Sequence, residues 1–168
     1  VIVLVNGAFG IGKTTVARLL ARRMRGAVLF NPELIGSTLQ LFRRVDGFQD
    51  LRAWRSLTVL ALRVIRLVRP IVIVPMAFAN IDYLDDIRRG AARFDHDVRH
   101  FCLVAPLDTV LARQLHRDAH ARDLDWQIEH ATQCCLAHAR PEFAVHVDAA
   151  SRTPEEIAEE LLSAIGAA

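Results

Sequence analysis

The run Gly7-Ala8-Phe9-Gly10-Ile11-Gly12-Lys13-Thr14 constrains this chain more than any other feature. It matches G-x-x-x-x-G-K-[S/T] at every fixed position. The preceding residues 1–5, Val-Ile-Val-Leu-Val, read as a strand buried on both faces. Residues 13–25 carry Val16, Leu19, Leu20 and Met24 at helical spacing. Strand, glycine loop and helix in this order make an anion cradle. The glycines let successive N–H groups converge, and the helix start adds its positive dipole end. Lys13 is expected to reach the β- and γ-phosphates of a nucleotide, and Thr14 to offer a hydroxyl to Mg²⁺. The backbone of Gly7, Ala8, Phe9, Gly10, Ile11 and Gly12, with Thr15 beyond, completes the expected nucleotide-binding set. Composition sharpens one point: of 21 basic residues, Lys13 alone is lysine. A forked guanidinium does not substitute for a compact ammonium in such a cradle.

Hydrophobic patterning past the loop alternates strands with helices. Strands are predicted at 27–30, 71–74, 99–104 and 144–147, the third stopped by Pro75. Helices are predicted at 33–43, 51–69, 81–93, 108–121, about 124–139 and 153–165. Thr153-Pro154-Glu155-Glu156 opens the last as a capping box with proline at the first helical position. This alternation predicts an α/β fold, a parallel sheet covered on both faces with ligands at the carboxyl ends of the strands. A chain of 168 residues with 52% hydrophobic content fits one domain, 1–168, with an acceptor-binding insertion at about 33–69 and a lid at about 113–125. On the 51–69 helix, Arg52, Arg55, Arg63, Arg66 and Arg69 fall within about 120°, with Leu57, Leu60, Ala61, Val64 and Val68 opposite. The pattern predicts a solvated arginine face and an aliphatic face packed on the sheet. An anionic membrane surface is the other reading of the arginines, which leaves peripheral contact open.

Other candidates each carry two readings. Glu33, just past the second strand, is placed to accept the proton of an attacking hydroxyl. Asn31-Pro32-Glu33 is equally a helix start with an acidic first turn. Arg113 and Arg117, one turn apart, are candidate lid cations that stack on adenine and pair with phosphates, or else a solvated basic face. Trp54, Arg55 and Phe78, with Phe42 and Phe48, are candidates for an acceptor pocket or ordinary core. His130, Cys134 and His138 recur every four residues, but their span of about 12 Å prevents all three from sharing one metal. Cys102, inside a strand, reads as buried.

The excluded classes narrow the reading further. A net charge of +2 gives no polyanion footprint, so no nucleic-acid partner is expected. No apolar run is long enough to span a membrane. Residues 1–5 lack the marks of a signal peptide, and three cysteines make no disulfide framework, so a cytoplasmic setting is expected. The third strand ends Ile-Val-Ile-Val-Pro-Met without the aspartate by which motor ATPases and GTPases hold Mg²⁺, and there is no Asn-Lys-x-Asp. Both absences favour a small-molecule kinase.

Asn-Gly-Ala-Phe-Gly-x-Gly-Lys-Thr at 6–14, Asn-Pro-Glu at 31–33, Trp-Arg at 54–55, Ile-Val-Pro-Met at 73–76 and the spaced Arg113 and Arg117 resemble the bacterial tunicamycin-resistance protein family. The likeness runs through nearly the whole chain, with Asn31 where the family carries Asp. It implies a P-loop NTPase fold of the nucleoside-monophosphate-kinase type, a three-layer α/β/α sandwich with five parallel strands ordered 2-3-1-4-5. It also implies ATP binding and protection against tunicamycin, a lipid-linked nucleoside antibiotic. The wider similarity is to nucleoside monophosphate, shikimate and chloramphenicol kinases. The preferred expectation is phosphotransfer from ATP, with Mg²⁺, to a hydroxyl of tunicamycin or a similar nucleoside or sugar compound. Glu33 would be the base, and Arg113 and Arg117 would close over the nucleotide. ATP-dependent sequestration without chemistry, and a metabolite kinase, are the alternatives.

Overall fold

The computed structural model describes residues 1–33, 51–118, 124–143 and 145–166, without the side chains of 117 and 118. The first strand, β1 (Ile2–Gly7), runs into the glycine loop and the helix α1 (Lys13–Arg23). Then follow β2 (Ala27–Leu29), α2 (Arg52–Val68), β3 (Ile71–Met76), α3 (Ile81–Ala92), β4 (Val98–Val104), α4 (Leu107–Asp118) and α5 (Leu124–His138). A 3₁₀ turn (Pro141–Phe143), β5 (His146–Asp148) and α6 (Pro154–Gly166) complete the order. All five strands are parallel, in the order β2-β3-β1-β4-β5. Chain direction therefore reverses its progress across the sheet at β1, and the loops after β1, β3 and β4 meet at one edge.

The alternation of β1 divides the core. Val3 and Val5 face α1 and α6, packing with Val16, Leu20, Ile157 and Leu161. Ile2 and Leu4 face the other way, toward Trp54 and Leu62 of α2 and Leu84 and Ile87 of α3. Period-two side chains on a strand covered by helices on both sides leave no polar face, hence the unbroken apolar run.

Three expectations need correcting. Pro75 does not stop β3, which continues through it to Met76, pairing Pro75 with Val5. The β2 ladder ends at Leu29 opposite Ile73, with Phe30 donating to the Ile73 carbonyl. Past that point, among the described residues, β3 has a neighbour only on the β1 side, so the missing N–H of proline leaves no gap in the ladder. The last strand sits two residues later than expected. It starts at His146, after Val145 turns through a φ of 39°. The third correction is α2, whose expected aliphatic face is not the packed one, although Arg52, Arg63 and Arg69 are exposed as expected. Trp54, Thr58 and Leu62 point inward with Arg55 beside them, whereas Leu57, Leu60, Val64, Leu67 and Val68 are exposed. Two arginines of the stripe reach carboxylates on and beyond α3: Arg55 pairs with Asp86 and Arg66 with Asp95. The packed face is a second apolar arc, Trp54 and Leu62 with Val59 and Ile65, and periodicity cannot choose between two such arcs.

Candidate active site

The phosphate loop lies where the fold opens. Gly12 caps α1 in the left-handed region at φ 103°, and no side chain bonds the first helical amides. A Cβ built on Gly12 would meet nothing within 4 Å. The first turn of α1 thus presents N–H groups that no side chain caps to an open cradle. Lys13 is only 7% exposed. Its ammonium lies 3.5 Å from the Ala8 carbonyl and 4.7 Å from the centre of the Phe9 ring. Uncapped amides, an open concavity and a cation folded over it fit the phosphates of a nucleotide. Thr14, half-buried in the first turn, is the residue that would hold Mg²⁺. A cavity of about 230 Å³ adjoins the loop, lined by Ala8, Ile11, Val104, Pro106, His138 and Asp148.

Three residues absent from the expected site flank this loop. Trp126 and His130 stack at 5.1 Å with planes 10° apart, and Phe9 packs on both rings at 5.7 and 5.3 Å. An aromatic at i and a histidine at i+4 are visible in sequence, but only the packing of α5 over the strand edge brings them to Phe9. Asn6, the last residue before the motif, is the other omission. Fully buried, its Oδ1 accepts from the Phe78 amide at 2.9 Å and its Nδ2 donates to the Phe78 carbonyl at 3.2 Å. That pair ties the end of β1 to the loop after β3, at the strand end that lacks the acidic residue.

The His130, Cys134 and His138 stripe has a role in the same place. His130 Nε2 lies 3.2 Å from the Ala77 carbonyl, and His138 Nε2 lies 2.7 Å from that of Phe78. The latter contact requires the Nε2–H tautomer of His138. Burial pushes the His138 imidazole down to about 4, so the ring is neutral near pH 7. Burial likewise pushes the Cys102 and Cys134 thiols up to about 12. The stripe thus holds the Ala77 and Phe78 carbonyls of the loop after β3, the latter shared with Asn6 Nδ2.

The remaining candidates fall in different places. Asn31 Oδ1 accepts from the Glu33 amide at 3.0 Å, so the helix-start geometry is present. Trp54 Nε1 donates to the Pro32 carbonyl at 3.1 Å, which pins the Glu33 turn after β2 to α2. Trp54 and Phe78 are core residues, at most 1% exposed, with ring centres 5.8 Å apart. Arg55 is held away from the loop, with Nε 2.9 Å from Asp86 and its guanidinium 4.2 Å above the Tyr83 ring. Arg113 forks onto two successive carbonyls after β5, Ala149 at 2.8 Å and Ala150 at 2.9 Å. It therefore braces α4 against the β5–α6 loop. The Arg117 side chain, residues 119–123 of the lid, and Phe42 and Phe48 in the insertion lie outside the described residues.

The resemblances agree with this geometry. A family model described as an AAA domain matches residues 2–141. No curated protein matches the chain. Among solved structures, the Deinococcus radiodurans tunicamycin resistance protein superposes with a TM-score of 0.77 at 26% identity, covering 98% of this chain and 95% of that one. A gluconokinase from Sinorhizobium meliloti 1021 gives 0.70 at 17%, covering 98% and 91%. A shikimate kinase from Acinetobacter baumannii, in complex with shikimate, gives 0.64 at 16%, covering 99% and 93%. The last two share the fold: the architecture is that of the P-loop kinases. The P-loop domain implies nucleotide binding. No helix among the described residues is long and apolar enough to cross a membrane. On the match over residues 2–141, carried by the phosphate loop and the sheet around it, the chain belongs to the AAA domain family.

Proposed function

We propose that this protein is an ATP-dependent phosphotransferase acting on a hydroxyl of tunicamycin or a similar nucleoside or sugar compound. The observation that carries the reading is the cradle itself. An uncapped helix start, a single buried lysine and an open concavity stand at the strand edge of a kinase-like fold. Likeness to the tunicamycin resistance protein supports the acceptor class.

The amides of the glycine loop and α1 hold the β- and γ-phosphates, and Lys13 neutralises charge there. Mg²⁺, held by Thr14 and the phosphates, supplies further charge stabilisation when bound. Glu33 accepts the acceptor's hydroxyl proton. The acceptor oxygen forms a bond to the γ-phosphorus as the bond from that phosphorus to the β–γ bridging oxygen breaks, leaving ADP. Asn31 and Trp54 act as positioning residues by fixing the turn that carries Glu33. Arg113 holds the β5–α6 loop at the nucleotide side, and Arg117 closes over the phosphates. Phe9, Trp126 and His130 form an aromatic wall beside Lys13 that limits water near the γ-phosphate.

Mass spectrometry of tunicamycin incubated with protein, ATP and Mg²⁺ tests the reading. A gain of one phosphate mass, lost in both Lys13→Ala and Glu33→Gln, is expected. An unmodified drug, together with cellular protection that survives Glu33→Gln but not Lys13→Ala, would establish sequestration instead.

A further inference from the structure

A helix on a sheet normally buries its aliphatic arc, and α2 does not. Leu57, Leu60, Val64, Leu67 and Val68 are 41, 56, 56, 80 and 76% exposed. At 3.6 residues per turn these five fall within about 100° of arc along a helix about 25 Å long. An exposed aliphatic ridge of this extent on a folded domain marks a contact surface. Its surroundings identify the partner chemistry. The helix contains no Asp or Glu. Arg52, Ser56 and Arg63 border the ridge on the side facing α3. There a groove of about 480 Å³ is lined by Arg52, Arg55, Arg89 and Arg93 with Asp86 as its sole carboxylate. Arg55 is paired with Asp86 and Arg89 with Asp85. Among the described residues Arg52, Arg63 and Arg93 form no salt bridge.

We propose that this face docks on an anionic phospholipid bilayer. The five aliphatic side chains enter the headgroup–acyl boundary while Arg52, Arg63 and Arg93 pair with lipid phosphates. Charge complementarity favours this occupant over a second copy. A two-fold contact through α2 would bring the arginine borders of both copies to one seam, with no acidic residue on the helix to meet them. Nucleic acid would leave the aliphatic ridge without a partner. The ridge and the phosphate loop lie on opposite faces of the sheet. Docking is therefore compatible with an open nucleotide site and does not depend on the phosphotransfer reading.

The test is co-sedimentation of the whole chain with vesicles of phosphatidylcholine alone or with added phosphatidylglycerol. Binding is expected to the mixed vesicles only and to weaken with salt. The Arg52→Gln/Arg93→Gln pair is expected to lose about 25-fold in affinity, at roughly 1 kcal/mol per basic side chain. The Leu60→Gln/Leu67→Gln pair should lose about tenfold or more. Nucleotide affinity, unchanged in both pairs, reports that they fold. Lack of binding to mixed vesicles, or binding indifferent to both pairs, overturns the proposal. So does a dimer in sedimentation equilibrium that the leucine pair dissolves while vesicles bind nothing, which would make the ridge a subunit interface.

Discussion

Lys13 combines three properties seldom found together in a lysine: it is nearly buried, it stands at a helix start, and an aromatic ring lies beneath its ammonium. None of these neighbours carries a negative charge, so an anion has much to add there. Lys13→Ala is expected to weaken ATP binding by about 100-fold or more, since about 3 kcal/mol is typical of a charge-assisted contact to phosphate. Lys13→Arg should be nearly as damaging, because the planar fork is wider than the cradle. Calorimetric titration with an ATP analogue checks both, and wild-type affinity in either variant contradicts the assignment. His138 makes a second prediction at this scale. Its ordinary value of 6.5 falls to about 4 in the fold. Between these values the unfolded chain takes up a proton that the folded ring refuses. The contribution is therefore fully present above pH 6.5 and is lost as pH falls toward 4, costing roughly 3 kcal/mol across the window. Urea melts at pH 7 and pH 5 should show about 2 kcal/mol of this loss, the share that falls between pH 6.5 and 5, and His138→Gln, which keeps a donor near Phe78, should show a smaller one.

At the scale of elements, the start of α6 and the brace on α4 behave as separable units. Thr153 Oγ1 accepts from the Glu156 amide at 3.2 Å, and the Glu156 carboxylate accepts from the Thr153 amide at 2.7 Å. Thr153→Ala removes the hydroxyl half of this box and should lower stability by about 1 kcal/mol with nucleotide affinity unchanged. A chemical melt paired with a titration checks it. Arg113→Ala removes two bonds to the β5–α6 loop at a site part-buried between elements. The expected outcome is a several-fold rise in KM for ATP at modest cost in stability. If KM stays fixed while the melting temperature falls, the brace is structural alone. The capping box was legible in sequence because both its members lie within one turn. Arg113's carbonyl partners were not, because they stand 36 and 37 residues away.

Over the whole molecule, acid sensitivity should exceed the share of His138. Burial also pushes His100 on β4 down to about 3, and among the described residues neither of its ring nitrogens has a hydrogen-bond partner. Two histidines that stay neutral in the fold and charge in the unfolded chain give the same sign. Nucleotide should offset the loss at any pH where it still binds, by about 3 kcal/mol at a hundredfold excess over Kd. Thermal melts with and without an ATP analogue at pH 7 and pH 5 would show both effects.

Sequence alone determined the features set by short-range chemistry. Gly12, Lys13 and Thr14 lie within one loop and one helical turn, so their joint geometry is local, and the phosphate cradle could be read directly. The unbroken run at 1–5 announced a strand covered on both faces, and the strand–helix alternation announced a parallel sheet. What tertiary structure decided involves groups far apart in the chain. Asn6 meets Phe78, Trp54 meets Pro32, and Phe9 meets His130, all through packing of separate elements. The orientation of α2 belongs here too. Its sequence supplies an aliphatic stripe and an arginine stripe, and helical periodicity says only that they are opposed. Trp54 and Leu62 pack inward with Val59 and Ile65, Arg55 and Arg66 reach Asp86 and Asp95 on and just beyond another helix, and Leu57, Leu60 and Leu67 stay outside. A helix's burial direction is settled by the charges and volumes of what it packs against, and these enter only once the chain has folded.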